Sequence, residues 1–266
     1  APPPPAAEGK PYSDPVTRSG NLTFFSCDHV VPASHVRVQA VRRGPSTASN
    51  PAGPLLDFRH AGRNLDATID GLGEVVLRGL RGCKAGVVVF LTSYKYEEVV
   101  FRRWRATGAL ERMKAAKQVH REPREAKDLE KVLAAYSKAA SKAPGAALFC
   151  VIGGKMSEGI NFSDDMARLI IVAGLPFPDI TDEELKTKMS NLDTTRAKGG
   201  GGVSGSSYYF NLCMRAVNQT IGRAIRHAND YACMWLCDDR YGKDERVWNA
   251  LPGWIRKGGG GREWSG

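Results

Sequence analysis

Residues Val87–Leu91, VVVFL, form an unbroken apolar run between Gly86 and Thr92. A run this short, with three β-branched residues and no polar side, reads as a strand covered on both faces. Apolar runs at 146–152, 168–175 and 231–237 repeat the signature. Helical patterns lie between them. Tyr96, Val99, Val100 and Trp104 recur at helical spacing. Leu129, Val132, Leu133, Tyr136 and Ala140 form one stripe, with Asp128, Glu130, Lys131 and Lys138 outside it. Thr181-Asp182-Glu183-Glu184 reads as a capping box opening a helix through about Leu192, and 212–227 reads as a further helix. Buried strands alternating with helices predict an α/β fold, a parallel sheet with helices on both faces.

The 266 residues carry 38 Lys and Arg against 28 Asp and Glu, a formal net charge of +10. Such a surplus attracts phosphate-bearing partners, although a merely soluble basic protein has the same charge. Pro, Gly and Ser crowd residues 1–20, 44–54 and 198–207, and the chain closes on KGGGGREWSG. The expected organisation is therefore a disordered Pro/Gly-rich tail at 1–20, one domain over 21–257 with a Gly-rich loop near 198–207, and a flexible tail at 258–266. The six cysteines are spread along the whole length without a C-x-x-C pair. They read as buried thiols of a reducing compartment, with no metal site. The apolar runs are far too short to cross a bilayer, and the amino end has neither the charged start nor the apolar stretch of a signal peptide, so no membrane partner is expected. Because the first residue is Ala rather than Met, the chain is expected to be a piece of something longer.

The most informative segment is 216–227, AVNQTIGRAIRH. On a helix, Val217, Ile221, Ala224 and Ile225 cluster on one side, while Gln219, Gly222, Arg223 and Arg226 fall on the other. An apolar underside would dock the helix and present two guanidinium groups and an amide. Glycine inside a helix costs about 1 kcal/mol relative to alanine, so Gly222 points to the close approach of another surface. A solvated face with an incidental glycine is the alternative.

Gln219-x-x-Gly222-Arg223-x-x-Arg226 is the pattern with which helicases present arginine fingers to a nucleotide. GGKMSEGINFSD (153–164), Gly174-Leu175-Pro176-Phe177-Pro178, Asp238-x-Arg240-Tyr241 and Leu251-Pro252-x-Trp254-Ile255 accompany it in order. Upstream, FFSCDHVVP (24–32), VVVFLTSYKYEEVV (87–100) and HREPREAKDLEKVLAAYSKA (120–139) fit as well. Over roughly residues 22–257 the chain resembles the carboxy-terminal motor domain of the XPD-like, DEAH-type iron–sulfur DNA helicases. Within that family it is most similar to the branch linked to sister-chromatid cohesion.

The resemblance implies a RecA-like (P-loop NTPase-like) fold, the second motor domain only, facing a first domain across an ATP cleft. It implies that Gln219, Arg223 and Arg226 face the γ-phosphate, with Arg226 as the finger. Gly159 and Asn161 would lie near the ribose, Glu158 would bridge to the arginine segment, and Gly222 would border the nucleotide. Most family members have an acidic residue where Asn161 stands; Asn supplies hydrogen bonds but no charge. Lys155 and Ser157 would grip the DNA backbone, and Ser93 and Tyr94 would contact a phosphate or stack on a base. A solvated loop lysine and a core tyrosine are the alternatives for Lys155 and Tyr94, and Trp104 reads as packing. The implied partners are single-stranded or forked DNA and the amino-terminal helicase domain. The implied location is the nucleus.

Several parts of such a motor are absent from the sequence. A phosphate loop at 153–157 would need Gly at Phe149 and Ser or Thr at Met156. Asp182-Glu183-Glu184 follows Thr181 at a helix start, as a cap rather than a magnesium ligand. No four cysteines have iron–sulfur spacing. ATP, Mg²⁺ and the iron–sulfur cluster of the parent protein are thus expected to be held by an amino-terminal half, and this half is expected to be inactive alone. A non-catalytic module that binds nucleic acid or a partner by its basic surface is the rival reading.

Overall fold

The computed structural model describes residues 17–19, 22–24, 30–48, 50–156, 162, 164–199, 202–257 and 259–261. The chain divides into two units, Ala1–Val30 and Val31–Gly266. In the first, β1 (Thr17–Ser19) pairs antiparallel with β2 (Leu22–Phe24). β1 falls within the stretch expected as a tail; residues 1–16 lie outside the described residues.

In the second unit, side chains alternate along a strand, and β4 (Val87–Leu91) uses both directions. Val88 and Phe90 enter one core, while Val87, Val89 and Leu91 enter another. β4 pairs in parallel with β6 (Ala146–Val151) on one side and β7 (Leu169–Ala173) on the other. β5 (Gln118–Arg121) extends the sheet beyond β6. β8 (Ala232–Cys237), β3 (Val36–Val41) and β9 (Gly259–Gly261) extend it beyond β7. The order is β5-β6-β4-β7-β8-β3-β9, every pairing is parallel, and parallel neighbours require crossovers through other elements. β9 lies in the segment expected as a flexible tail, where a glycine backbone pairs with β3 without needing side chains to pack.

Helices α1 (Asp66–Gly82), α2 (Tyr94–Ala106) and α3 (Ala109–Ala116) bury their apolar residues against the face of Val87, Val89 and Leu91. On the other face lie α4 (Leu129–Ala140) and, beyond the polar α5 (Glu183–Ala197), α6 (Gly205–Ile221). Three short helices complete the unit: α7 (Asp239–Lys243), α8 (Glu245–Asn249) and α9 (Gly253–Lys257). The α/β reading with helices on both faces therefore holds. No helix of the described residues is long and apolar enough to cross a membrane.

Some local readings are corrected. The N-cap of α5 is Asp182, which accepts the Leu185 amide at 2.8 Å, while the Thr181 hydroxyl is spent on Asp179 at 2.7 Å. That helix runs to Ala197 rather than Leu192. Helix α1 is not among the expected elements: Ile69, Leu72, Val76 and Leu80 do recur at helical spacing, but Gly71, Gly73, Gly79 and Gly82 lower the helix propensity of the stretch. Gly73 has a packing reason: a Cβ there would stand 2.7 Å from the indole nitrogen of Trp104.

Trp104 is 0% exposed, packs against Phe101 and Phe149, and donates its indole N–H to the Ile69 carbonyl at 2.9 Å. It is core, as expected. Trp104→Ala should cost about 3–5 kcal/mol of stability, read from the midpoint of urea unfolding at unchanged slope.

Candidate functional site

The arginine motif straddles a helix end rather than lying on one helix. α6 stops at Ile221, and Gly222 is its C-cap at φ −64° and ψ −8°, ordinary right-handed values. The expected helix through His227 is therefore not formed. Within this chain, a Cβ at Gly222 would meet only the carbonyl oxygens of Asn218 and Gln219, so no other element of the described residues crowds that position. Beyond Ile221 the turns tighten, with Arg223 N bonding to Thr220 O and Ala224 N to Ile221 O. The Arg226 amide then donates to the Asp230 carboxylate at 3.1 Å instead of to a helical carbonyl.

The apolar underside is as the pattern requires. Val217, Ile221, Ala224 and Ile225 are buried, Gln219 and Arg226 are exposed, and Gly222 and Arg223 are half-buried. The Arg226 side chain thus projects into solvent from a segment whose backbone is pinned. Asp230 does the pinning. Fully buried, it accepts from Arg168 Nη1 at 2.6 Å and from the Tyr231 amide at 3.0 Å, besides Arg226. A buried carboxylate persists only with such partners.

Asp164, His227 and Asp230 bring their ligand atoms within 4.8 Å of one another. The cation is already supplied there, since Arg168 also lies 3.3 Å from Asp165 and 3.7 Å from Asp164. The described cysteines do not converge for an iron–sulfur cluster: Cys150, Cys213 and Cys237 are buried in β6, α6 and β8. Burial pushes the Cys213 thiol up to about 12 and raises those of Cys150 and Cys237 as well, so they stay protonated and are poor ligands.

A second constellation sits where β4, β5 and β6 end. Ser93 is the N-cap of α2, and its hydroxyl accepts the Tyr96 amide at 3.1 Å. Tyr94 is half-buried and donates its hydroxyl to Glu122 at 2.6 Å. Burial, then the Glu122 hydrogen bond, pushes its phenol up to about 12, so it remains a donor at neutral pH. Glu122 is 8% exposed and also accepts the amides of Val151 at 2.9 Å and Met156 at 3.1 Å. Arg124 lies 4.4 Å over the Tyr94 ring, and its carbonyl accepts the exposed Lys155 ammonium at 2.6 Å.

One buried carboxylate therefore ties together the segments that carry Tyr94 and Lys155. Glu122 and Arg124 had stood out only as part of the stretch 120–139, with no role of their own. The hydrogen bonds of Glu122 reach residues 28, 29 and 34 positions away, which no local pattern reports. Ser157, Glu158, Gly159 and Asn161 lie outside the described residues.

The structure brings Ser93, Tyr94 and Lys155 to the carboxyl ends of the strands. Arg226, held through Asp230 and Arg168 just before β8 and β7, sits at their amino ends. Asp238-x-Arg240-Tyr241 is structural: buried Asp238 caps α7 and binds the Arg240 guanidinium at 2.9 and 2.7 Å, and Tyr241 is buried against Gly174.

Residues 77–258 match the family model described as Helicase C-terminal domain. The ATP-dependent DNA helicase DDX11 of Danio rerio is 41% identical over 239 residues, which are 87% of this chain and 26% of that protein. The ATP-dependent DNA helicase CHL1 of Candida albicans is 37% identical over 259 residues, 95% of this chain and 30% of that protein. The chain thus spans between a quarter and a third of the relatives it matches. Among solved structures, one titled XPD_APO aligns with a TM-score of 0.54 at 19% identity, covering 85% of this chain and 40% of its own. At that identity the likeness is one of fold, and it agrees with the RecA-like parallel sheet. With two thirds of its length inside the family model and Gln219 and Arg226 of its arginine motif exposed at the end of α6, this chain belongs to the helicase C-terminal domain family.

Proposed function

We propose that the chain is the carboxy-terminal motor half of an ATP-dependent DNA helicase of the sister-chromatid-cohesion and DNA-repair type, working in the nucleus. In this reading Arg226 is the arginine finger, and Gln219 and Arg223 face the same nucleotide. The observation that carries it is the exposed Arg226 side chain on a backbone clamped by buried Asp230. A finger needs that combination. Negative charge spreads over the phosphoryl oxygens in the transition state, and a planar guanidinium placed in advance contacts two of them at once. An arginine so placed is worth about 10³–10⁵ in rate.

ATP and Mg²⁺ are substrate and metal of the full-length motor, held mainly by an amino-terminal domain that also carries the iron–sulfur cluster. Gly159, Asn161, Gly222 and Glu158 border the nucleotide from this side. At the other end of the sheet, Lys155 contacts the DNA backbone, with Ser93 and Tyr94 at the same strand ends; Ser157 is assigned a backbone contact as well. The Tyr94 hydroxyl is engaged with Glu122 and the Arg124 guanidinium covers one face of its ring, so a base would meet the ring away from Arg124. Lysine and hydroxyl contacts of this kind hold phosphates without reading sequence.

In the full-length protein, Arg226→Ala should lower DNA-stimulated ATP hydrolysis by about 10³-fold or more and leave DNA affinity near wild type. The 266-residue chain alone should show no DNA-stimulated turnover; either result reversed removes the finger assignment. Lys155→Ala should weaken single-stranded DNA binding on every sequence and reduce the slope of log affinity against log salt by about one. Glu122→Ala should weaken the same binding, because two amides lose a buried acceptor at about 1–3 kcal/mol each and the Lys155 loop loosens. In a double-mutant cycle the two losses should not add. Strict additivity would separate Glu122 from the DNA-facing loop.

A further inference from the structure

Two adjoining cavities, of about 630 and 340 Å³, open at the amino ends of β4, β5 and β6 and share Ala115, Ala116 and Pro144 in their walls. Every charged residue lining them is basic. Arg112 is neutralised by Glu74 and Lys114 by Glu111. Arg81, Lys84, Lys138 and Lys142 make no ion pair among the described residues. Arg81 and Lys84 line the smaller cavity and Lys138 and Lys142 the larger, so the adjoining pair carries a locally positive field in a chain whose net charge is already +10.

Beneath the rim lies a lysine with no carboxylate. Lys117 is 2% exposed, and its ammonium donates to the carbonyls of Ala85 (3.0 Å) and Pro144. Gly145, at φ +89°, makes the space for it: a Cβ there would stand 2.6 Å from Lys117 Nζ and 2.2 Å from the Ala85 oxygen. An ammonium has three donors and the two carbonyls take two of them. Apart from Gln118 and Cys83, the remaining walls are aliphatic, including Leu80, Ala115, Ala116, Ala139 and Pro144.

We propose that the joined groove, running past the end of α3 from α1 to α4, docks an acidic, aliphatic protein segment, with carboxylates on the basic rim and alkyl side chains on the alanine and proline floor. The lining offers no hydroxyl and no aromatic ring. Nucleic-acid surfaces also use lysine and arginine for phosphates, but single-strand surfaces add aromatic rings on which bases stack, and none lines this groove. An apolar floor inside a cationic rim is instead the complement of an amphipathic acidic helix laid in a groove. The groove also lies at the opposite end of the strands from Ser93, Tyr94 and Lys155, so occupancy of one does not require the other. This inference stands independently of the helicase reading.

The test is fluorescence anisotropy on the full 266-residue chain with two labelled probes. One is an amphipathic peptide of glutamate and leucine, about 14 residues long. The other is an oligothymidine of similar length. The peptide should bind, weaken as salt rises, and lose about tenfold or more in affinity in the Lys138→Glu, Lys142→Glu double variant, which alters only exposed side chains. Lys155→Ala should leave peptide binding unchanged. Lys117→Met should also weaken the peptide; if circular dichroism shows that variant unfolded, the surface double variant decides. No peptide binding, or binding indifferent to the double reversal, overturns the proposal. So does a reversal that costs the oligothymidine as much as the peptide, because the groove would then be nucleic-acid surface.

Discussion

Val87–Leu91 is buried at every residue, with side chains alternating into two cores and backbone groups paired to β6 on one side and β7 on the other. β6 and β7 are buried in the same way. A strand in that position has no surface on which to do chemistry. Polar function is confined to the loops at the two ends of the sheet, and the parallel direction of the strands makes those ends different. The carboxyl ends carry Ser93, Tyr94, Glu122 and Lys155, and the amino ends carry Arg168, Arg226 and Asp230.

At both ends the groups that hold are distinct from the groups that reach out. Asp230 is buried and satisfied by one guanidinium and two amides, and Glu122 is buried and satisfied by a phenol and two amides. Neither presents charge to solvent. Their effect is to remove freedom from the chain that carries Arg226 and Lys155, whose own side chains stay exposed. A buried charge is costly unless fully partnered, so each such residue enforces a single arrangement of the segments that meet there. Asp238 with Arg240 repeats the device at the start of α7.

Local pattern determined much of this molecule. The bounds of β4 and the strands within 146–152, 168–175 and 231–237 follow from apolar runs, because a strand covered on both faces leaves an unbroken apolar trace. The buried underside at Val217, Ile221, Ala224 and Ile225 and the exposure of Arg226 follow from spacing alone. Helix α1 has apolar residues at helical spacing, Ile69, Leu72, Val76 and Leu80, set among glycines that lower its propensity, one of which makes room for the Trp104 indole 31 positions away in the sequence. The N-cap of α5 moved by one residue because Asp179 captured the Thr181 hydroxyl first.

What only the tertiary structure decided are the contacts between segments distant along the chain. Arg168 and Asp230 are 62 residues apart, and Tyr94 and Glu122 are 28 apart. No periodicity marks such pairs, since a carboxylate reads the same whether it faces water or an amide. The end of α6 belongs to this class: the apolar spacing runs on through Ile225, but the helix ends at Ile221, its turns tighten over Arg223 and Ala224, and the Arg226 amide goes to the Asp230 carboxylate. The sequence therefore specified which side chains were available and which faces were greasy. Folding chose which charges would be buried together, because that choice depends on a low-dielectric interior that exists only once the sheet has closed around it.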